Sequence, residues 1–465
     1  MKCLAIFGLI VAIFAAIVGY GYLVFTDLTR PLPKPDYKDD TYWGRGDGKN
    51  YVPDTKIYDF HLDVPQAEID DLRQQLNRTL KLADPLDGIA FEYGFNTNAL
   101  QQFVDYWRDK YLTKWRQREE YFNSMKQYTT EIQGLKIHFI HERVEEEVAA
   151  KKHVVPLLLL HGWPGSVREF YDFIPMLRKD TNISDYSFEV VAPSLVGFGW
   201  SEAAPRPGFN AAEMATVMRN LMLRLGHKKF LVQGGDWGSI IGSNLATLYP
   251  DNVLGYHSNM CVLHTPLAIL KAIYTHYYPE KVLVSRMFYD HHVGIWDKFK
   301  ELVEESGYFH IQATKPDTIG AALDSSPVGL AGYILEKFQT CTGPALRQDF
   351  GAMVTVYGLE AVLDNVMVYY LNSAATTAGR FYAENTAKAY RDLQLDRVQT
   401  PVPMGCARFR NDLPPASEWQ LRDKFINIKH NMYFQHGGHF AAMEMPSMLY
   451  SDFTTFVKKI GLHDE

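Results

Sequence analysis

The sequence predicts an α/β protein with a mostly parallel sheet that helices cover on both faces. After a hairpin at about 129–141, apolar strands alternate with helices up to residue 261, and the alternation resumes after residue 395. Strands buried on both faces carry continuous apolar runs, as 154–160 and 230–233 do, and crossover helices join parallel neighbours. The third observation is a pair of glycine-rich turns, each of which directly follows a strand.

Composition excludes several classes of protein. The chain has 465 residues, of which 47% are hydrophobic and 22% charged, and its net charge is −7. These values exclude a mainly disordered chain, a collagen and a multi-span membrane protein, and they disfavour a nucleic-acid binder. Cys3, Cys261, Cys341 and Cys406 form no CxxC pair, which excludes a disulfide scaffold and disfavours a cysteine-bound zinc ion.

An apolar segment at the N-terminus predicts a membrane anchor. The run Leu4–Phe25 has 22 uncharged residues, enough for a helix that crosses a hydrocarbon core of about 30 Å. A cleaved signal peptide has an apolar core of only about 7–15 residues and a small-residue cleavage site, which this segment lacks. We therefore expect a retained single-pass anchor over residues 1–25. Its orientation stays open, because basic residues flank both sides nearly equally.

Residues 26–127 are predicted to form a linker and a helical arm. Three prolines make the segment Arg30–Pro35 stiff and extended. One helix is indicated by four apolar residues on a single face: Ile69, Leu72, Leu76 and Leu80. Asn98 is expected to cap a second, longer helix whose apolar stripe runs from Leu100 to Trp115. We expect both stripes to pack against the body of the protein.

The rest of the chain divides into a first core part at 128–261, an insertion at 262–395 and a second core part at 396–465. The insertion loses the alternation and is rich in tyrosine, phenylalanine and helix-forming residues, so we expect a helical lid. The second core part contains predicted strands at 398–409 and 428–434 and a final helix at 447–460.

The motif Gly234-Gly235-Asp236-Trp237-Gly238-Ser239 lies between a strand and a helix. It has the pattern small-x-nucleophile-x-small, in which the glycines allow a sharp turn that exposes the middle side chain. In hydrolases with this turn the middle residue is usually serine, whereas here it is Asp236. Alternatively, Asp236 caps the following helix, whose positive dipole end favours a carboxylate. The motif alone leaves both roles open.

The motif His161-Gly162-Trp163-Pro164-Gly165 directly follows the apolar strand at 154–160. Glycine and proline in such a loop usually form only a turn. A backbone N–H of this loop can nevertheless point at the nucleophile, and with the N–H of Trp237 it would form an oxyanion hole. His161 itself is interpreted as a residue that structures the loop rather than as a base.

Gly437-Gly438-His439-Phe440 follows the last predicted strand. In catalytic triads ordered nucleophile, acid, histidine, the histidine comes from a late loop, so His439 is the predicted base. The acid must lie between Asp236 and His439. Asp412 follows a strand and is the preferred candidate, with three competitors: Asp364, Glu384 and Glu418.

Together these motifs resemble those of the microsomal epoxide hydrolases, and most closely the arthropod juvenile hormone epoxide hydrolases. The resemblance rests on HGWPGS, GGDWGS and GGHFAA, on RFYAEN at Arg380–Asn385 and on HIQATKPDT at His310–Thr318. It implies an α/β-hydrolase fold with a helical lid and a single-pass protein of the endoplasmic reticulum membrane. It also implies that a lipophilic epoxide and water are the substrates and that neither a metal nor an organic cofactor takes part.

The resemblance also implies roles for individual residues. Asp236 is the nucleophile, His439 the base and Asp412 the acid, although many family members carry glutamate at this last position. Tyr308 and Tyr382 are the tyrosines that activate the epoxide. The backbone N–H groups of Trp163 and Trp237 form the oxyanion hole. Three other tyrosines remain alternatives: Tyr333, Tyr369 and Tyr370.

Two other functions stay open on the sequence. A haloalkane dehalogenase also uses an aspartate nucleophile on this fold, and Trp237 would then stabilise the halide. The paired tyrosines, the apolar N-terminus and the helical arm favour epoxides. A catalytically inactive binding protein on the same fold is disfavoured, because every triad position is present.

Overall fold

A nine-stranded sheet organises the chain. The computed structural model describes residues 2–179, 184–283, 293–341, 343, 347–349, 351–413 and 415–462. The strands of the sheet are β1 (Ile57–Phe60), β2 (Gln127–Ile132), β3 (Leu135–Glu142), β4 (His153–Leu160), β5 (Tyr186–Pro193), β6 (Phe230–Gly234), β7 (Val253–Ser258), β8 (Met404–Phe409) and β9 (Ile428–Phe434). Their order across the sheet is β1-β2-β3-β5-β4-β6-β7-β8-β9.

The sheet is mixed rather than uniformly parallel. All neighbours from β5 through β4 to β9 pair in parallel, which confirms the prediction for that part. The pairs β1–β2, β2–β3 and β3–β5 are antiparallel. The short Gln133-Gly134 turn between β2 and β3 permits only an antiparallel hairpin, whereas a crossover helix is needed for a parallel pair.

Helices cover the sheet and fill the segment between β7 and β8. Before that segment they are α1 (Lys2–Thr29), α2 (Gln66–Leu76), α3 (Thr97–Tyr106), α4 (Trp115–Phe122), α5 (Glu146–Ala149), α6 (Ile174–Arg178), α7 (Ala211–Arg224) and α8 (Asp236–Leu248). Within it lie α9 (Pro266–Tyr277), α10 (Pro279–Val282), α11 (Ile295–Glu305), α12 (Gly307–Thr314), α13 (Pro316–Asp324), α14 (Pro327–Thr340), α15 (Ala352–Tyr357), α16 (Leu359–Leu371), α17 (Ala374–Thr386) and α18 (Lys388–Leu393). After it come α19 (Glu418–Leu421), α20 (Ala441–Glu444) and α21 (Pro446–Ile460).

The helical arm differs from its prediction in detail. In α2, the side chains of Ile69, Leu72 and Leu76 are buried, as the periodicity predicts. The next helix is capped by Asn96 rather than Asn98, because the Asn96 side chain accepts hydrogen bonds from the first-turn amides. The apolar stripe up to Trp115 does not lie on one α-helix, since a π-helical and a 3₁₀ turn separate α3 from α4.

The predicted membrane-spanning segment is not supported by the structure. A helix does cover this segment, from Lys2 to Thr29. However, none of the helices in the part of the chain that the structure describes is both long and apolar enough to cross a bilayer.

One disulfide bond, which the sequence analysis did not predict, joins Cys261 to Cys406. It connects the segment that follows β7 to its parallel neighbour β8, and both cysteines are buried. Two residues distant in sequence meet here only because β7 and β8 are adjacent in the sheet. The bond lies near the carboxyl ends of these strands, where the motif residues also converge.

Candidate active site

Asp236 occupies a strained turn at the carboxyl end of β6. The strand ends at Gly234 and α8 begins at Asp236 itself, whose φ of 48° lies in the left-handed region. A non-glycine residue adopts this conformation only where the surroundings enforce it, and such strain is concentrated at functional sites. Gly238 permits the tight approach, because a Cβ there would lie 2.0 Å from the backbone oxygen of Leu160. The turn therefore has the geometry of a nucleophile elbow.

The loop after β4 supplies a hydrogen-bond donor to this carboxylate. The backbone N–H of Trp163 donates to Asp236 Oδ1 at 2.7 Å. A Cβ at Gly162 would lie 2.2 Å from the same oxygen, so this position requires glycine. Trp237 belongs to the first turn of α8, where backbone N–H groups have no acceptor within the helix. Both predicted oxyanion-hole residues thus flank Asp236.

His439 lies between two carboxylates. Its Nδ1 is 2.6 Å from Asp412 Oδ1, and its Nε2 is 3.4 Å from Asp236 Oδ2. Burial acts to lower the pKa of His439, but the Asp412 carboxylate and the hydrogen bond to Asp236 outweigh it and hold the pKa well above its ordinary value. The imidazole is therefore protonated at neutral pH. The shorter aspartate side chain at 412 reaches the ring without difficulty.

The three competing acids are engaged elsewhere. Asp364 is fully buried and accepts hydrogen bonds from the guanidinium groups of Arg118 and Arg168. The Glu384 carboxylate accepts from the backbone N–H of Gly208, and the Glu418 carboxylate accepts from Arg422 and Asn431. Of the four candidates, the structure brings only Asp412 to His439.

Tyr308 and Tyr382 bracket the Trp163 ring from the helical segment. Tyr308, on α12, stacks on Trp163 with 4.8 Å between ring centroids, and Tyr382, on α17, meets it edge-on at 5.9 Å. Burial, reinforced by the nearby Asp236 carboxylate, raises the pKa of both phenols above their ordinary value. Both hydroxyls are therefore protonated and can donate hydrogen bonds.

The alternative tyrosines have partners of their own. The Tyr369 hydroxyl donates to the backbone oxygen of Gly165, which holds the loop after β4. The Tyr370 hydroxyl accepts from Gln75 in the helical arm. Tyr333 also meets the Trp163 ring, at 5.7 Å, but its hydroxyl accepts from Gln312.

His161 structures the loop, as interpreted from the sequence. Its Nε2 accepts a hydrogen bond from the backbone N–H of Leu195, and its Nδ1 faces the backbone oxygen of Gly162. Because an accepting nitrogen is unprotonated, the ring is neutral, and burial lowers the pKa of His161 to about 4. His161 therefore cannot replace His439 as the base that contacts Asp236.

The site also contains Glu169, which the sequence does not predict. This residue lies in the 3₁₀ turn Val167–Phe170 and lines a small cavity together with Asp236, His439 and Asn259. Burial raises the pKa of Glu169 to about 8, so the carboxyl group is mostly neutral at pH 7. The cavity has a volume of about 10 Å³, which is close to the space that one water molecule needs. No sequence signal distinguishes Glu169 from other acidic residues in turns.

Two family models match the chain. The model described as the epoxide hydrolase N terminus matches residues 57–170, and the model of the alpha/beta hydrolase fold matches residues 155–274. They overlap over residues 155–170, which include most of β4 and the glycine-rich loop that follows it. The second match and the sheet together establish the α/β-hydrolase fold.

Named relatives match nearly the whole chain. Juvenile hormone epoxide hydrolase 1 of Ctenocephalides felis is 44% identical, over 96% of this chain and 95% of its own length. Epoxide hydrolase 1 of Oryctolagus cuniculus is 37% identical, over 95% of this chain and 97% of its own. The crystal structure of juvenile hormone epoxide hydrolase from Bombyx mori superposes with a TM-score of 0.87 at 37% identity, covering 91% of this chain and 99% of that one.

Proposed function

This chain belongs to the epoxide hydrolase family and is an epoxide hydrolase, and we propose that it converts lipophilic epoxides to vicinal diols through an ester on Asp236. The observation that carries this mechanism is the pose of the Asp236 side chain. Its Oδ1 accepts the N–H of Trp163, whereas its Oδ2 faces His439. One oxygen is therefore held, and the other is left for attack on a substrate carbon.

The first step opens the ring. Asp236 Oδ2 forms a bond to an epoxide carbon while the bond between that carbon and the ring oxygen breaks. The negative charge that develops on the oxygen is stabilised by hydrogen bonds from Tyr308 and Tyr382, one of which transfers its proton. The raised pKa of these phenols supports this role, since both are protonated before the substrate arrives.

The second step hydrolyses the ester and depends on a change in charge. In the free enzyme the Asp236 carboxylate helps to keep His439 protonated. Esterification removes that negative charge, so the pKa of His439 falls and the ring gives up its proton, which restores the tyrosinate to a tyrosine. The neutral ring, oriented by Asp412, is then a base for water. The resulting hydroxide adds to Cγ of Asp236, and the backbone N–H groups of Trp163 and Trp237 stabilise the oxyanion. As this intermediate collapses, the bond between Cγ and the ester oxygen breaks and the proton of the added hydroxyl passes to that oxygen, so the diol leaves and the Asp236 carboxylate is restored.

We propose that the hydrolytic water lies in the small cavity beside Asp236. Asp236, His439 and the mostly neutral carboxyl group of Glu169 are among the residues that line it. A protonated carboxyl both donates and accepts hydrogen bonds, so it can hold a water while His439 removes a proton from it. We assign Glu169 as a residue that positions this water.

We propose a juvenile hormone, a terpenoid epoxide, as the physiological substrate. The relatives from Ctenocephalides felis and Bombyx mori carry this substrate in their names. The specificity constant kcat/KM should be higher for juvenile hormone III than for styrene oxide by at least about tenfold. Equal constants, or a preference for styrene oxide, would indicate a detoxifying enzyme instead.

We also propose that α1 associates with a membrane. Phe14, Tyr20 and Leu23 of this helix each expose more than 60% of their surface, and the neighbouring exposed residues are apolar too. A contiguous apolar surface of this kind indicates contact with lipid or protein. The full chain should float with liposomes in a density gradient, and a variant that lacks residues 1–25 should not.

Isotope labelling tests the covalent mechanism. With excess enzyme in heavy-oxygen water, a single turnover should give mostly unlabelled diol, because the new oxygen comes from Asp236. The label should appear in the peptide that contains this residue, detected by mass spectrometry. Immediate label in the diol would show direct attack by water and refute the ester.

A further inference from the structure

We propose that His141, Glu189 and His227 form a binding site for one Zn²⁺ ion. His141 lies on β3, Glu189 lies on β5, and His227 lies in the loop between α7 and β6. Each residue offers one ligand atom, and these atoms all lie within 4.8 Å of one another. Nothing in the epoxide hydrolase mechanism uses these three side chains.

The distances suit a tetrahedral ion. His141 Nε2 is 2.7 Å from Glu189 Oε1, and His227 Nε2 is 3.5 Å from the same oxygen. Ligands held at about 2.0–2.1 Å in a tetrahedron are about 3.3 Å apart, a value that lies between these two distances. The ligand atoms of the two histidines lie within 4.8 Å of one another, so the site would form by small side-chain shifts, with water as a fourth ligand.

A hydrogen-bonded cluster alone explains only part of this arrangement. The contact between His141 and Glu189 is a good hydrogen bond. His227 Nε2 faces the same carboxylate, but it is buried and has no hydrogen-bond partner among the residues that the structure describes. Buried polar nitrogens are rarely left in this state, so its orientation needs a reason. A shared metal ion would use the ring nitrogens of both histidines and the carboxylate together.

The donor set determines which ion fits. Two imidazoles and one carboxylate suit zinc and similar borderline ions, whereas Mg²⁺ and Ca²⁺ prefer oxygen ligands. The site is also reachable, because the side chains of Glu189 and His227 are 19% and 13% exposed. Arg143 competes for the carboxylate, with its Nε 3.5 Å from Glu189 Oε1, but it is 77% exposed and can turn into solvent.

The position in the sheet predicts what the ion would do. His227 precedes β6, whereas Asp236 follows it, so the cluster and the catalytic residues lie toward opposite ends of that strand. A bound ion would join β3, β5 and the α7–β6 loop. Because it binds the folded chain, it should raise thermal stability and leave the chemical steps unchanged.

The test uses the full-length chain in detergent, stripped with a chelator and then titrated with Zn²⁺. Calorimetry should show one ion per chain, and Tm should rise by several degrees with Zn²⁺ but not with Mg²⁺. Glu189→Gln and His227→Gln should each weaken Zn²⁺ binding by at least about tenfold and abolish most of the rise. His61→Gln, which removes an exposed histidine outside the cluster, should bind like the wild type.

Circular dichroism and epoxide turnover, measured without the metal, identify any variant that misfolds. If one of the two variants misfolds, the other still decides the question, because they change different elements. The proposal is overturned if the wild type binds no Zn²⁺, or if Glu189→Gln and His227→Gln both bind it as the wild type does.

Discussion

This protein contains two clusters of histidine and aspartate, and the surroundings of their carboxylates differ in ways that matter for catalysis. In the first, His439 joins Asp412 to Asp236 at 2.6 and 3.4 Å. In the second, Asp452 on α21 accepts hydrogen bonds from His257 on β7 and His430 on β9, at 2.9 and 2.6 Å. Both clusters combine the same two residue types, so residue type alone cannot explain why only one cluster is the candidate active site.

The surroundings separate the two clusters. Asp452 lies on a regular helix and is almost fully buried, and both of its oxygens accept from an imidazole. Asp236 has a left-handed backbone, lines a small cavity, and has one oxygen held by an amide while the other lies 3.4 Å from His439 Nε2. We attribute the proposed reactivity of Asp236 to its strained backbone and to the cavity beside its carboxylate. In the second cluster, the pairing of Asp452 with two histidines only makes the core rigid.

The largest expected effect comes from Asp236→Ala. This change removes the nucleophile and should reduce kcat by about four orders of magnitude or more. No ester should form in a rapid-mixing experiment, while the far-UV spectrum stays that of the wild type. Ring opening at the normal rate would show that another group attacks the epoxide. It would also contradict the distinction between the two clusters.

A smaller but more specific effect is expected for His439→Gln. Ring opening needs only Asp236 and the tyrosines, so it should persist, whereas ester hydrolysis should slow by about 10²–10⁴-fold. Intact-protein mass spectrometry should detect an adduct with the mass of enzyme plus substrate. Normal diol formation without an adduct would contradict the assignment of His439 as the base.

Loss of one of the two tyrosines should slow ester formation, and loss of both should slow it much more. Tyr308→Phe and Tyr382→Phe should each slow ester formation by about 10–10²-fold, because one donor remains, and the double variant should nearly abolish it. Tyr370→Phe is the matched control, since that hydroxyl contacts Gln75 in the arm. An unchanged rate of ester formation in the double variant would refute the assignment.

Asp452→Asn should affect stability rather than chemistry. Burial acts to raise the pKa of Asp452, but the hydrogen bonds from His257 and His430 outweigh it and lower the pKa. The stabilisation is therefore present above the ordinary pKa of an aspartate and is lost as pH falls through the lowered value. Removing this buried charge should lower the free energy of unfolding by about 3 kcal/mol at pH 7, measured by urea denaturation. A loss of kcat in the folded variant would contradict the purely structural role.

The smallest effect is expected from deletion of residues 1–25. All of the proposed chemistry lies beyond residue 160, so kcat for a water-soluble epoxide such as styrene oxide should stay within about twofold of the full chain. The measurement is steady-state turnover in detergent. A truncated protein that has the normal circular dichroism spectrum but no activity would show that the apolar helix contributes to the site.

The local sequence determined the elements whose cause is local. The apolar runs predict β4, β5 and β6, the short Gln133-Gly134 turn predicts the hairpin, and β9 begins and ends at the predicted residues. The strand Val253–Ser258 was missed, because it is short and contains Gly255 and His257. The strand predicted from Val398 begins only at Met404. Pro401 and Pro403 have no backbone N–H, so they cannot donate the hydrogen bonds that a strand interior needs.

The residues of the candidate site likewise divide into those that local sequence predicts and those that only the tertiary structure selects. The glycines around Asp236 made it a candidate, and chain order made His439 one, since both signals depend on neighbours in sequence. The choice of Asp412 over Asp364 depends on which carboxylate reaches the imidazole, and only tertiary structure decides that. The chain contains 28 tyrosines, and they differ only in what they contact. Composition therefore cannot single out Tyr308 and Tyr382, and only the family resemblance predicts them.

The sequence by itself determined the fold class, the strained turn and the order of the motifs along the chain. Only the tertiary structure decided the Cys261–Cys406 bond, the cavity beside Glu169 and the meeting of His141, Glu189 and His227. The physical reason is the separation along the chain over which each property is set. Backbone conformation and burial periodicity are set within a few residues, whereas covalent, ionic and metal-ligand contacts require atoms that the folded sheet alone brings together.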